Sequence, residues 1–183
     1  MTRTKLMIPG PVELSPGVLE AMSRPVIGHR TPEFDEVLEY CWDVLKKLFR
    51  TRNDVVLLTG SGTSAMDAAI SNIIGDGDEV VCCTGGKFSE RFVEIVRAYG
   101  GVPREVEVEW GCAVCPEDVE EVLSDSSARV VTLTHNETST GVLNDAGAIS
   151  KVVKDYGAVF VMDAITSVGG DDVRTDEWGV DIC

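Results

Sequence analysis

From Ala158 to Met162 every side chain is apolar, and the run ends on Asp163. Gly157 precedes it and Gly169-Gly170 follow shortly after. A short unbroken apolar run between turn residues predicts a strand buried on both faces, because alternation disappears when neither face meets water. Strands of that kind belong to parallel sheets covered by helices, which narrows the fold class sharply. The terminal aspartate narrows it further. An unpaired carboxylate in an apolar setting is costly, and in open parallel sheets ligands lie just outside the carboxyl ends of the strands. Asp163 therefore either meets a ligand cation or proton, or caps the turn that follows.

The rest of the chain repeats the theme. From Asp54 onward, strand patterns at residues 55–58, 79–84, 105–108 and 129–134 alternate with helical patterns at 64–74, 88–99, 117–123 and 146–156. Residues 105–108 alternate apolar with charged, as an edge or half-exposed strand does. Two helices precede this region. Ser15-Pro16 and Thr31-Pro32 each place an N-cap residue before a proline at the first helical position. In the second helix Phe34, Val37, Leu38, Cys41, Trp42, Leu45, Leu48 and Phe49 share one face, which predicts a packing helix with Trp42 in the core. Strand–helix–strand repetition implies an α/β fold with a mostly parallel sheet and helices on both faces. Its 183 residues suit one domain or a large piece of a bigger one. No internal repeat, low-complexity tract or linker interrupts it.

Charge and cysteines exclude several functions. A balance of 31 acids against 16 lysines and arginines gives a net charge of −15, which repels nucleic acid and anionic membrane surfaces. Ile8-Pro9-Gly10-Pro11 is a rigid loop that arrives before any export-signal core can form, and no apolar run reaches membrane length. A cytoplasmic setting with six reduced cysteines is the resulting expectation. Cys82-Cys83 lie in an apolar run and read as core residues. Cys112-Ala-Val-Cys115 is a lone CxxC without a second ligand pair, so no metal is expected there.

Three loops fall at strand-to-helix junctions. Thr59-Gly-Ser-Gly-Thr-Ser-Ala65 offers free N–H groups, a helix dipole and hydroxyls, and is either an anion cradle or a tight capped turn. It is neither a Walker loop nor a complete GxGxxG fingerprint. Thr84-Gly-Gly-Lys-Phe88 ends in a ring that stacks on a flat ligand or packs in the core. Thr134-His-Asn-Glu-Thr-Ser-Thr140 is polar throughout, directly after a buried strand, which suits a ligand shell. His135 reads equally as a hydrogen-bonded structural histidine. Phosphate cradle, ring, polar wall and carboxylate together match a flat, phosphorylated, pyridine-type cofactor. In that setting Asp163 would keep the ring nitrogen protonated, the pyridinium-partner role known for pyridoxal phosphate.

These same stretches, with Ile8-Pro-Gly-Pro11, Gly28-His-Arg-Thr-Pro-Glu-Phe34 and Val161-Met-Asp-Ala-Ile-Thr-Ser-Val-Gly-Gly170, resemble the class V aminotransferases. The motifs are nearest to the serine–pyruvate and alanine–glyoxylate branch. The resemblance implies the large domain of the fold type I pyridoxal-phosphate-dependent transferases, incomplete at its C-terminus. Residues 1–30 would form an N-terminal arm and first loop, and residues 31–183 part of the cofactor-binding domain. It implies pyridoxal 5'-phosphate as cofactor, small amino acids and 2-oxo acids as substrates, and a homodimer. Ser61, Gly62 and Thr63 match the phosphate-binding segment. Phe88 stands where the family usually has a stacking tryptophan. Thr138 matches the hydroxyl near the ring's phenolic oxygen, Asp163 the ring-nitrogen partner, and Ile165 the side chain over the opposite ring face. Gly10 matches a position lining the substrate pocket. The family's cofactor-linking lysine falls just beyond the stretch matched by Val180-Asp-Ile-Cys183, and Lys5, Lys46, Lys47, Lys87, Lys151 and Lys154 all lie elsewhere. The expectation is an aminotransferase as a complete protein, with the 183-residue chain alone an inactive fragment or half of a split enzyme. Cysteine desulfurases carry a different, asparagine-rich segment at residues 134–141, which ranks a lyase or desulfurase reading lower.

Overall fold

The computed structural model describes residues 5–183; residues 1–4, the start of the segment read for an export signal, lie outside the described residues. Two compact units result, one reaching to Leu45 and the other running from Lys46 to Cys183.

The first unit is helical. Helix α1 (Pro16–Met22) starts as its proline predicts, and the Val18 N–H donates to Ser15 Oγ at 3.4 Å. Helix α2 (Pro32–Phe49) opens in the same way after Thr31, with acids in its first turn and lysines in its last, the polarity its dipole favours. The expected packing helix is only partly realised. Phe34, Leu38, Cys41, Leu45 and Phe49 form a half-buried strip, while Val37 and Leu48 on one flank and Trp42 on the other are exposed. The apolar arc of α2 is wider than the strip that is covered, so Trp42 is not a core residue.

In the second unit, α3 (Gly62–Ser71) leads to β1 (Glu79–Thr84), α4 (Ser89–Ala98), β2 (Val102–Glu107), α5 (Pro116–Ser124) and β3 (Val130–Thr134). A small hairpin of β4 (Asn136–Glu137) and β5 (Val142–Leu143) follows, then α6 (Ala146–Asp155), β6 (Val159–Asp163) and the single turn α7 (Thr175–Trp178). The main sheet runs β2-β1-β3-β6 with every pair parallel. Neighbouring β1 and β3 are the point where strand order reverses, the location at which such sheets open a crevice at their carboxyl ends.

Strands β1, β3 and β6 each feed two cores. Val80, Cys82, Val130 and Val161 join Met66 and Ile70 of α3 and Phe92, Val93 and Val96 of α4. On the opposite face Val81, Leu133, Phe160 and Met162 join Val119 and Leu123 of α5 and Ile149 and Val153 of α6. This division is why strands β1, β3 and β6 carry no polar alternation over their first residues. It also buries Cys82 and Cys83, and burial pushes the Cys82 thiol up to about 12, so both are inert core residues.

One expectation changes here. Residues 55–58 form no strand, and Val56, Leu57 and Leu58 are exposed. Strand composition supplies extended propensity, but a strand also needs a neighbour for its N–H and C=O groups, and among the described residues none pairs there. The far edge of β6 is instead met by Ile182, which bridges Val161 and accepts from the Met162 N–H at 2.8 Å. The β4–β5 hairpin and α7 are too short to leave a periodic signal. Helix α6 is anchored by Asp145, whose carboxylate accepts from the Ala148 N–H at 2.9 Å. Asp145→Ala is expected to cost about 1 kcal/mol of stability, measured as a lowered urea midpoint at unchanged m-value.

Candidate functional site

Asp163 ends β6, paired in register with Thr134 at the end of β3. The alternation that sends Val161 and Val130 toward α3 and α4 sends Asp163, Thr134 and Thr132 to that same face. Asp163 is buried, and its carboxylate has one hydrogen bond among the described residues, from the Ile165 N–H at 2.9 Å. Burial raises its pKa most; the Ile165 bond and the Arg91 charge oppose the rise and the Glu137 charge adds to it. Among the described residues, the buried Thr134 hydroxyl has no hydrogen-bond partner. A buried carboxyl with a raised pKa beside an orphaned hydroxyl at a sheet's carboxyl end marks a candidate ligand site.

The Gly-Ser-Gly loop lies beside it. Ser61 is the N-cap of α3, and Gly62 and Thr63 are its first two helical residues, two positions earlier than periodicity predicts. The Ser61 N–H donates to Ser64 Oγ at 3.4 Å. The first-turn N–H groups of Gly62 and Thr63 precede any intrahelical partner, so they remain available to an anion. Gly62 lies against Ile165: a Cβ there would meet Ile165 Cδ1, the tip of an exposed side chain that would have to shift. Ile165 thus lies across the loop, two residues from Asp163.

Phe88 is half-buried at the N-cap of α4. It is fixed by a residue that sequence reading left inside a polar run. The buried Glu137 carboxylate accepts from the N–H groups of Phe88 at 3.2 Å, Ser89 at 2.9 Å and Ser139 at 3.1 Å. It also accepts from the Ser139 hydroxyl at 2.7 Å. Glu137 therefore caps α4 from another loop. Gly86 makes room for it, since a Cβ there would run into Glu137 Cγ. Burial raises this carboxyl, but the bonds from Ser139, Ser89 and Phe88 outweigh burial and hold it below the ordinary glutamate value. No local pattern marks such a cap, because its partner is 48 residues away.

Thr138 follows directly, half-buried, donating to Thr166 Oγ1 at 3.2 Å. Thr166 in turn donates to the backbone and side-chain oxygens of Asn136, both at 3.0 Å. His135 resolves toward structure. It is buried, with Nδ1 2.9 Å from Ser167 Oγ and its ring edge-on to Trp178 at 5.4 Å. Burial lowers its pKa, against the nearby charges of Asp171 and Asp145. Cys112 and Cys115 are exposed free thiols. Gly10 belongs to the first unit and is exposed; the cluster just described comes from the second unit alone. Ser61, Gly62, Thr63, Phe88, Thr138, Asp163 and Ile165 are thus carried on the loops at the carboxyl ends of β1, β3 and β6 and the N-terminus of α3. Arg91 was also missed, although its spacing from Phe88 puts both on one face of α4.

This geometry has known counterparts. The model of the class-V aminotransferases matches residues 20–183. An uncharacterized aminotransferase of Methanocaldococcus jannaschii is 51% identical over 97% of this chain and 46% of its own length. The alanine–glyoxylate aminotransferase of Drosophila melanogaster is 33% identical over 97% of this chain and 45% of its own. Among solved structures, the ureidoglycine–glyoxylate aminotransferase of Bacillus subtilis superposes with a TM-score of 0.93 at 33% identity, covering 99% of this chain and 47% of that one. The chain therefore spans about half the length of the relatives it matches. On sequence and on fold alike, the chain belongs to the class-V aminotransferase family.

Proposed function

We propose that this chain is the cofactor-binding part of a pyridoxal-phosphate-dependent aminotransferase. The complete protein would move an amino group from a small amino acid, such as alanine or serine, to a small 2-oxo acid, such as glyoxylate or pyruvate. The observation that carries the reading is Asp163: a buried, proton-hungry carboxyl at the end of β6, facing the unsatisfied Thr134 hydroxyl and flanked by an anion-ready helix start. Two relatives whose names specify glyoxylate support the choice of acceptor.

The residues fit the cofactor in chemistry and in number. Ser61, Gly62 and Thr63 would bind the phosphate through backbone N–H groups and hydroxyls. Phe88 would flank one ring face and Ile165 the other. Thr138 would hydrogen-bond the phenolic oxygen. Asp163 would hold a proton on the ring nitrogen, its charge then compensated by the cation it creates. When bound, pyridoxal phosphate supplies an electron sink for the substrate's Cα. The complete protein, which we propose to be a homodimer, would carry the linking lysine and the groups that select the donor.

The test is pyridoxal phosphate added to the full-length protein, read by its visible absorbance, followed by amino-donor screening with glyoxylate as acceptor. Binding with turnover is the expected result. A full-length protein that neither perturbs the cofactor's spectrum nor transfers an amino group removes this function.

A further inference from the structure

Arg91 joins two parts of the candidate site, and its charge acts on the Asp163 carboxyl without pairing with it directly. Its Nη1 donates to Thr63 Oγ1 at 2.7 Å, and its guanidinium carbon lies 5.1 Å from the centre of the Phe88 ring. The side chain is half-buried on the first turns of α4. Among the described residues it forms no ion pair, in a chain with 31 acidic side chains available. Partly burying a cation without a directly paired counter-charge is unfavourable unless other groups compensate it. Here the compensation comes from a hydroxyl of the anion loop and the face of the stacking ring. A guanidinium suits this double task because it is planar, stacks on aromatic faces and forks its donors at fixed angles. The Thr63 hydroxyl would otherwise rotate freely, and Phe88 stands at a helix N-cap, where only its backbone is tied down by Glu137.

We propose that Arg91 is a positioning residue of the cofactor site, clamping the Thr63 hydroxyl and the Phe88 ring in one fixed relation so that the phosphate and ring ends of pyridoxal phosphate are gripped together. The proposal rests on the cofactor reading above, and its test separates the two. Equilibrium dialysis of the full-length protein gives affinities for pyridoxal phosphate and for pyridoxal, which keeps the ring but lacks the phosphate. Parallel urea melts of the cofactor-free protein report stability.

Arg91→Ala is expected to weaken pyridoxal phosphate by about tenfold or more, and pyridoxal by less, because one arm of the clamp serves each end. Arg91→Lys keeps the charge but not the planar fork, and is expected to restore little of the loss. Thr63→Val should weaken pyridoxal phosphate alone, through the clamp and through the hydroxyl's own bond to the phosphate together, so Arg91→Gln, which shortens the side chain and removes the guanidinium fork, carries the test should Arg91→Ala fail to fold. Affinity unchanged within about twofold in these variants, whatever happens to their melting, would reduce Arg91 to a packing residue. Full rescue by lysine would replace positioning with charge alone and overturn the clamp. Wild-type protein that binds neither compound would instead overturn the cofactor reading, and the clamp with it.

Discussion

Glu137→Ala is expected to lose about 2–6 kcal/mol of folding stability, because two N–H donors at the start of α4 lose their acceptor and each orphan costs roughly 1–3 kcal/mol. Phe88 and Ser89 are those donors, and Ser89 is buried. The loss should show as a lowered urea midpoint and as faster amide exchange across 88–91. Glu137→Gln keeps the shape and most of the acceptor capacity and separates charge from geometry. The sign with pH follows from the direction of the shift. The folded-state pKa of Glu137 is lowered from 4.5, so its stabilisation is fully present above the unfolded value and is lost as pH falls through the folded one. Wild type and Glu137→Gln should therefore differ most at neutral pH and converge in acid. Equal stability at neutral pH would mean that the cap depends on shape and not on charge.

Asp163→Asn is expected to act in opposite directions on the empty and the loaded protein. Burial raises the Asp163 pKa above 3.8, so the folded state holds its proton more tightly than the unfolded chain does. Its contribution favours folding at low pH and is lost as pH rises from the ordinary aspartate value through the raised one. Above the ordinary aspartate value the raised pKa is a burden on the empty fold, and asparagine, whose Oδ1 still accepts from the Ile165 N–H, relieves it. Cofactor-free Asp163→Asn should thus melt at the wild-type midpoint or above it. Its affinity for pyridoxal phosphate should fall by at least about thirtyfold, the scale of removing one member of a buried charge pair. A variant that is destabilised when empty and binds as wild type does would assign Asp163 to the fold and not to the ligand.

What could be read in advance, and what could not, divides along physical lines. Residues 79–84, 129–134 and 158–163 are legible as strands because burial on both faces writes an apolar run directly into the sequence. Ser15-Pro16 and Thr31-Pro32 are legible because capping is local. Asp163 stands out by contrast, a charge at the end of an oily run. Residues 55–58 mislead because propensity describes a segment and pairing describes two. Trp42 misleads because an apolar stripe states what a helix face prefers, not how much of it is covered. Glu137 and Arg91 are hidden for another reason. The carboxylate acts on Ser89 from a distant loop, and the guanidinium reaches Thr63 from a different helix, so neither task leaves a mark at neighbouring positions.

The strand order has a consequence for how the chain is made. β1 lies between β2 and β3, and β6 is added beyond β3. A ribosome delivers β1 first, with Val80, Val81, Cys82 and Cys83 all destined for burial, before either flanking strand exists. One edge can close once α4 and β2 have emerged; the other must wait for α5 and β3. Parallel pairing across such separations is slow, and through that interval the nascent chain shows an oily, half-paired ribbon to its surroundings. A pause in synthesis between β1 and β3 lengthens that exposure, and a chaperone that covers β1 shields it.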